Sequence, residues 1–195
     1  MPQPARKKST YEELYAVPEN MVGEIIDGEL VVSPRPARSH LFTASALSAK
    51  VITTYQFGEG GGEGGWIILD EPEVAFGEDI LVPDLAGWQK ERFPVEEDHN
   101  WISAIPDWIC EVLSPSTART DRIKKMRIYA RHRVPYIWLI DPLQMILEVY
   151  ALEEGGKLVL KGVYGENDAV RAVPFPAIEI DLTNLWLIIQ GHGKA

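Results

Sequence analysis

Cysteine is almost missing: Cys110 stands alone among 195 residues. No internal disulfide can form, and no Cys or His lies near it at zinc-ligand spacing, so it reads as a small apolar core residue. No stretch approaches the roughly 18 uninterrupted apolar residues of a membrane helix. Met1 to Thr10 (MPQPARKKST) lacks the apolar centre of a secretory signal, and the expectation is a soluble, cytoplasmic chain with no membrane partner. Positive charge is also scarce, with 19 Lys and Arg against 29 Asp and Glu and a net charge of -10. That argues against a general nucleic-acid coat, which needs a basic surface to neutralise phosphates. Internal repeats are missing too, and the only low-complexity run is GEGGGEGG, Gly58 to Gly65. It has no GK[ST] ending and its glutamates would repel phosphate, so it reads as a connector and not a nucleotide loop.

What is present is unevenly placed. Seven of the 19 basic residues fall between Arg119 and Arg133 (RTDRIKKMRIYARHR), opposed only by Asp121, while acids collect in Glu59 to Glu78 and Glu91 to Asp98. With 46% hydrophobic residues the chain can fill one core but not two. Residues 1–195 are therefore expected as one domain, with 1–9 flexible and 190–195 a tail.

Thr10 followed by Glu13 fits a capping box, so a short helix should open the fold. Asp27-Gly28 between the apolar-rich runs of VGEIIDGELVVS predicts a two-residue hairpin. Leu41, Ala44, Leu47, Val51 and Tyr55 recur at helical spacing through Ser39 to Tyr55. Trp66 to Phe76 and Asp79 to Trp88 read as two strands joined at Gly77-Glu78, and a polar loop follows through Asn100. Then come a strand at Asp107 to Leu113, a turn, a basic helix at Asp121 to His132 and a strand at Pro135 to Asp141, an order that argues for parallel strands with a helical crossover. From Met145 onward the strands are short, antiparallel and peripheral. The architecture is α+β, a mixed central sheet with a long helix on one side and the basic helix on another.

One strand carries an anomaly. In IPDWICEVLSPST, alternation sets Glu111 on the same face as Ile109 and Leu113, where an ionised carboxylate is costly unless something pairs with it. A second acid follows a proline at Val82-Pro83-Asp84. Two carboxylates from neighbouring strands can converge on one divalent cation, and Mg²⁺ commonly takes one or two of them plus water and phosphate. The plainer readings are a turn residue at Asp84 and a metal-free ion pair at Glu111. His40 shares a helical stripe with Ala44, Leu47 and Val51 and faces the sheet, as a buried structural histidine or as part of a site.

These segments (YEELYAVPEN, GEIIDGELVVSPRPARSH, VPDLAG, PDWICEVLSPST, the D-x-x-x-K-x-x-x-Y spacing and VPYIWLIDP) resemble the PD-(D/E)xK nuclease superfamily, and within it the Uma-type putative restriction endonuclease family. The resemblance implies a restriction-endonuclease-like fold and an endonuclease activity on nucleic acid, DNA above all. The usual superfamily lysine lies two residues after the second acid, where this chain has Leu113. Its replacement is Lys125, since Asp121, Lys125 and Tyr129 recur every four residues and fall along one line of the basic helix.

By that resemblance Asp84, Glu111 and the Val112 carbonyl bind Mg²⁺ or Mn²⁺, Lys125 orients water or stabilises phosphoryl charge, and Glu24 completes the site. Asp121 and Tyr129, with His40, would support the ligands. Arg119, Arg122 and Lys124 would hold the nucleic-acid backbone. Plainer readings remain: Glu24 as an exposed hairpin charge, and the lysines as solvated outer faces of a helix whose Ile123, Met126 and Ala130 point inward. By analogy a homodimer is expected, with NLWLII (Asn184 to Ile189) as its interface. The alternative to an enzyme is a non-catalytic interaction module that retains the fold.

Overall fold

In the computed structural model the described residues are 8–190; most of the expected flexible arm and tail lies outside them. The first helix, α1 (Tyr11–Leu14), is only four residues long, and the Thr10 side chain makes no cap hydrogen bond, so the capping box does not close. Next, β1 (Met21–Ile26) and β2 (Glu29–Pro34) pair antiparallel across Asp27-Gly28. Both turn residues have positive φ, 53° and 75°, as a type I′ turn requires.

The long helix α2 (Arg38–Val51) continues into a π-helical turn, Ile52–Gln56, before the glycine connector. Its buried face carries His40, Thr43, Leu47, Ser48 and Val51. Leu41, expected on that stripe, is 48% exposed, which corrects the inferred phase of the helix.

The segment read as two strands is four: β3 (Trp66–Asp70), β4 (Val74–Phe76), β5 (Asp79–Leu81) and β6 (Leu85–Gln89). Pro72 and Pro83 fall at the two breaks; proline supplies no N–H to a ladder and restricts the residue before it. The outer halves β3 and β6 pair in one sheet, and the inner hairpin β4–β5 belongs to another.

The acidic strand is β7 (Trp108–Val112). After the Ser114–Thr117 turn a helical segment runs through residues 118–131, with a π-helical middle at Asp121–Lys125. It leads into β8 (Tyr136–Asp141), which pairs parallel with β7. The strands β9 (Ile146–Leu152) and β10 (Leu158–Gly165) then extend this same sheet antiparallel, and β11 (Ala169–Val170) pairs with β12 (Ile180–Asp181). The main sheet has order β10-β9-β8-β7-β6-β3, and a second sheet has order β2-β1-β5-β4.

Period-two alternation along β7 sends side chains into two different cores. Trp108, Cys110 and Val112 pack on one face with Leu47 and Val51 of α2 and with Phe175, Leu185 and Trp186 from the C-terminal segment. Ile109 and Leu113 pack on the other with Ile128 and Tyr129 of the basic helix and with Val74, Phe76 and Leu81 of the second sheet. Glu111 lies between Ile109 and Leu113 on that second face. The two helices therefore flank opposite faces of a mixed sheet, as the sequence pattern led us to expect. The second sheet was not expected.

The C-terminal run is not an exposed apolar surface. Leu185 and Trp186 are buried, with Trp186 Nε1 donating to the Glu166 carbonyl at 3.0 Å, while Asn184 and Leu187 are exposed. Leu185 and Trp186 complete the protein's own core and are not on its surface. Replacing Trp186 by Ala should lower unfolding stability by about 3–5 kcal/mol, and Leu187→Ala by no more than about 0.5 kcal/mol. Urea denaturation of both variants checks the ranking.

Candidate active site

Glu111 on β7 is 2% exposed, and charged groups from the basic helix, from β1 and from the turn before β6 surround it. The basic helix follows β7 after one turn and packs back across its face. Its i, i+4 line Asp121, Lys125 and Tyr129 is buried, at 3%, 5% and 0% exposure. Ile123, expected to face inward, is 41% exposed instead. The polar line was the inward one because it meets a carboxylate, not an apolar surface.

Lys125 Nζ lies 2.8 Å from Glu24 Oε1, 3.3 Å from Glu111 Oε1 and 3.5 Å from Asp121 Oδ1. Tyr129 donates its hydroxyl hydrogen to Glu111 Oε1. Glu24 is 5% exposed, so it is no surface hairpin charge. Its Oε1 also accepts the Val82 N–H at 2.8 Å, tying β1 to the Pro83-Asp84 turn. The Val82 and Lys125 contacts of Glu24 and the Tyr129 and Lys125 contacts of Glu111 all fall on Oε1.

Asp84 stands directly before β6, whose Leu85 opposes Cys110 of β7. That register brings its carboxylate to the end of β7, where Oδ2 accepts the Val112 N–H at 2.7 Å. His40 Nε2, from the first turn of α2, lies 2.6 Å from Oδ1, a pairing in which the imidazole N–H donates. His40 is 7% exposed and its Nδ1 has no partner. It thus supports an acid of the cluster from the opposite side of the sheet.

Glu24, Asp84, Glu111, Asp121 and Lys125 line one cavity of about 300 Å³. Burial holds the Glu111 carboxyl well above the usual carboxylate range; Lys125 opposes this, and Asp121, Asp84 and Glu24 reinforce it. Burial raises Asp121 as well, against Lys125 and the Thr117 hydroxyl. For Lys125, burial favours the neutral amine, but Glu111, Glu24 and Asp121 outweigh it and keep the ammonium charged. Tyr129 is raised by burial and by Glu111, so its hydroxyl stays a donor.

The other assigned basic residues are elsewhere. None of Arg119, Arg122 and Lys124 is among the residues lining the cavity. Arg122 makes a two-toothed pair with Glu148 of β9, at 2.7 and 3.0 Å. Two charged cavity residues escaped the sequence reading. Glu71, with φ of 47°, donates its N–H to the Asp84 carbonyl at 3.0 Å; Arg35 lies between Pro34 and Pro36 at the cavity mouth. Their only sequence signals were the neighbouring prolines.

Comparison with known proteins bears on this arrangement. The Uma2 family model, described as "Putative restriction endonuclease", matches residues 9–183. The chain belongs to the Uma2 family. A crystal structure of a putative nuclease belonging to DUF820 from Anabaena variabilis ATCC 29413 is similar, with a TM-score of 0.74 and 26% identity over 92% of this chain and 98% of that one. No curated protein matches the sequence. The restriction-endonuclease-like α+β fold is thereby established, and this Uma2 protein is nuclease-like.

Removing one partner from a buried ionic cluster strands the others. Lys125→Ala should therefore lower unfolding stability by about 3–5 kcal/mol, measured by urea denaturation at neutral pH. A loss under about 1 kcal/mol would mean the ammonium is no more than a surface charge.

Proposed function

We propose that this Uma2 protein is an endonuclease that uses a divalent metal to hydrolyse phosphodiester bonds of DNA, with Glu24, Asp84, Glu111 and Lys125 as its machinery. One observation carries the reading. A buried lysine from the helix after the acidic strand reaches the carboxylates of Glu111 and Glu24, in the cavity that Asp84 also lines. It supplies the cation that Leu113, at the usual lysine position, cannot.

The donor set fits a hard cation. The cavity's acids offer carboxylate oxygens. Among the described residues no three His, Cys, Asp or Glu side chains are grouped so as to hold a metal ion. An ion held by one or two carboxylates would take the rest of its shell from water and phosphate, as Mg²⁺ commonly does. Asp84 and Glu111, with the Val112 carbonyl, would hold Mg²⁺ or Mn²⁺. Bound there, the ion would supply Lewis-acid polarisation of the scissile phosphate and a more acidic water.

The chain's own residues do the rest. Lys125 places fixed positive charge where negative charge develops on the phosphoryl oxygens. Tyr129 orients Glu111 and His40 orients Asp84, so both carboxylates are preset before substrate arrives. Cutting both strands of a duplex calls for two such sites and hence a homodimer, joined through a surface other than the buried Leu185 and Trp186. The complete pairing of Lys125 with three carboxylates is also what a non-catalytic module would keep, and activity separates the two readings.

Wild type should bind Mg²⁺ or Mn²⁺ in a titration and cleave DNA in a panel of duplex, single-stranded and branched substrates. Asp84→Asn, Glu111→Gln and Lys125→Ala should each slow cleavage by about 100-fold or more, the first two with weakened metal binding. A wild type that binds neither ion contradicts the nuclease reading. Cleavage untouched by all three changes contradicts the residue assignment.

A further inference from the structure

The residues assigned above manage a cation and a reacting phosphate, but none of them holds the rest of the nucleic-acid strand. The difficulty is electrostatic. Five acids line the cavity, and its one lysine is already shared among three of them. A polyanion entering such a site is repelled unless a cation at the mouth receives it. On the basic helix, Arg119, Arg122 and Lys124 are not among the lining residues, and Arg122 is engaged with Glu148.

Arg35 meets the requirement. It lines the cavity just past the end of β2, and Ser114, Pro115, Ser116 and Thr117 belong to the same lining. Pro34 and Pro36 flank it, and their fixed φ angles stiffen the main chain that carries it. Its guanidinium is held loosely: Nη1 lies 3.4 Å from Glu71 Oε2 and Nη2 lies 3.1 Å from the Glu19 carbonyl, and the side chain is 53% exposed. Exposed single-toothed pairs of this kind are weak. A phosphate offers the same fork two oxygens and a stronger, two-toothed contact.

We propose that Arg35 is the phosphate-binding residue at the mouth of this cavity, taking a phosphodiester next to the one that reacts. The inference rests on the nuclease reading of the same cavity and adds the substrate contact that reading lacks. It also gives a protein of net charge -10 a placed guanidinium at the cavity with which to meet a polyanion.

The test is calorimetric titration with thymidine 3′,5′-bisphosphate in Mg²⁺, a probe with two phosphates and no internucleotide bond to cut. Arg35→Ala should weaken binding about 10-fold or more, and Arg35→Lys should recover part of the loss. Lys161→Ala, the same charge change on β10 away from the cavity, should bind as wild type does. The slope of log affinity against log salt should fall by about one in Arg35→Ala, with the Mg²⁺ titration unchanged. Wild-type binding by Arg35→Ala, or no probe binding by the wild type, overturns the inference. Cleavage is scored separately. A wild type that binds the probe through Arg35 yet cuts nothing sinks the nuclease reading alone, whereas active cleavage with an unchanged KM in Arg35→Ala sinks this inference alone.

Discussion

A single buried ammonium organises this protein. Lys125 carries its charge into the interior, where an unpaired ion is costly, and Glu24, Glu111 and Asp121 meet it there. Those three acids come from the hairpin, the acidic strand and the basic helix itself. The ion cluster thus links the second sheet to the main sheet at the point where the cavity opens. One ammonium is shared there among three carboxyl groups, with Asp84 lining the same cavity.

The rest of the fold serves to bring those groups to one place. Because β7 is covered on both faces, its alternation sends Trp108, Cys110 and Val112 to the α2 core and leaves Glu111 for the other side. Antiparallel pairing of β6 with β7 sets Asp84 at the strand end, while parallel pairing of β7 with β8 requires the crossover helix that carries Lys125. The π-helical turn at Asp121–Lys125 falls within that helix at the cluster, a distortion often found at functional sites. Positioning comes from strand register and helix packing, which are stiff, and not from loop conformation.

Much of this was legible in the sequence because it rests on local chemistry. Asp27-Gly28 reads as a turn through its positive φ, the strand, helix, strand order reads as a parallel crossover, and Asp121, Lys125 and Tyr129 align through the helical repeat alone. The misreadings share one physical origin, that side-chain polarity does not report the direction in which a residue packs. Leu41 and Ile123 were turned inward for being apolar, yet the buried positions are held by His40, paired with Asp84, and by Asp121 and Lys125, paired with each other and with Glu24 and Glu111. Splitting Trp66–Trp88 between two sheets needed Pro72 and Pro83 to be read as sheet boundaries and not as interruptions. Arg35 in the cavity lining depends on contacts between distant segments, which spacing does not encode.

The central claim is that Asp84 and Glu111 share a metal ion in a cavity closed on one side by Lys125. Anomalous diffraction from crystals soaked in Mn²⁺ tests it most directly. The account predicts one strong peak against the carboxylates of Asp84 and Glu111, with Lys125 still beside Glu111. A peak that forms only elsewhere on the protein, or none at saturating Mn²⁺, would contradict it.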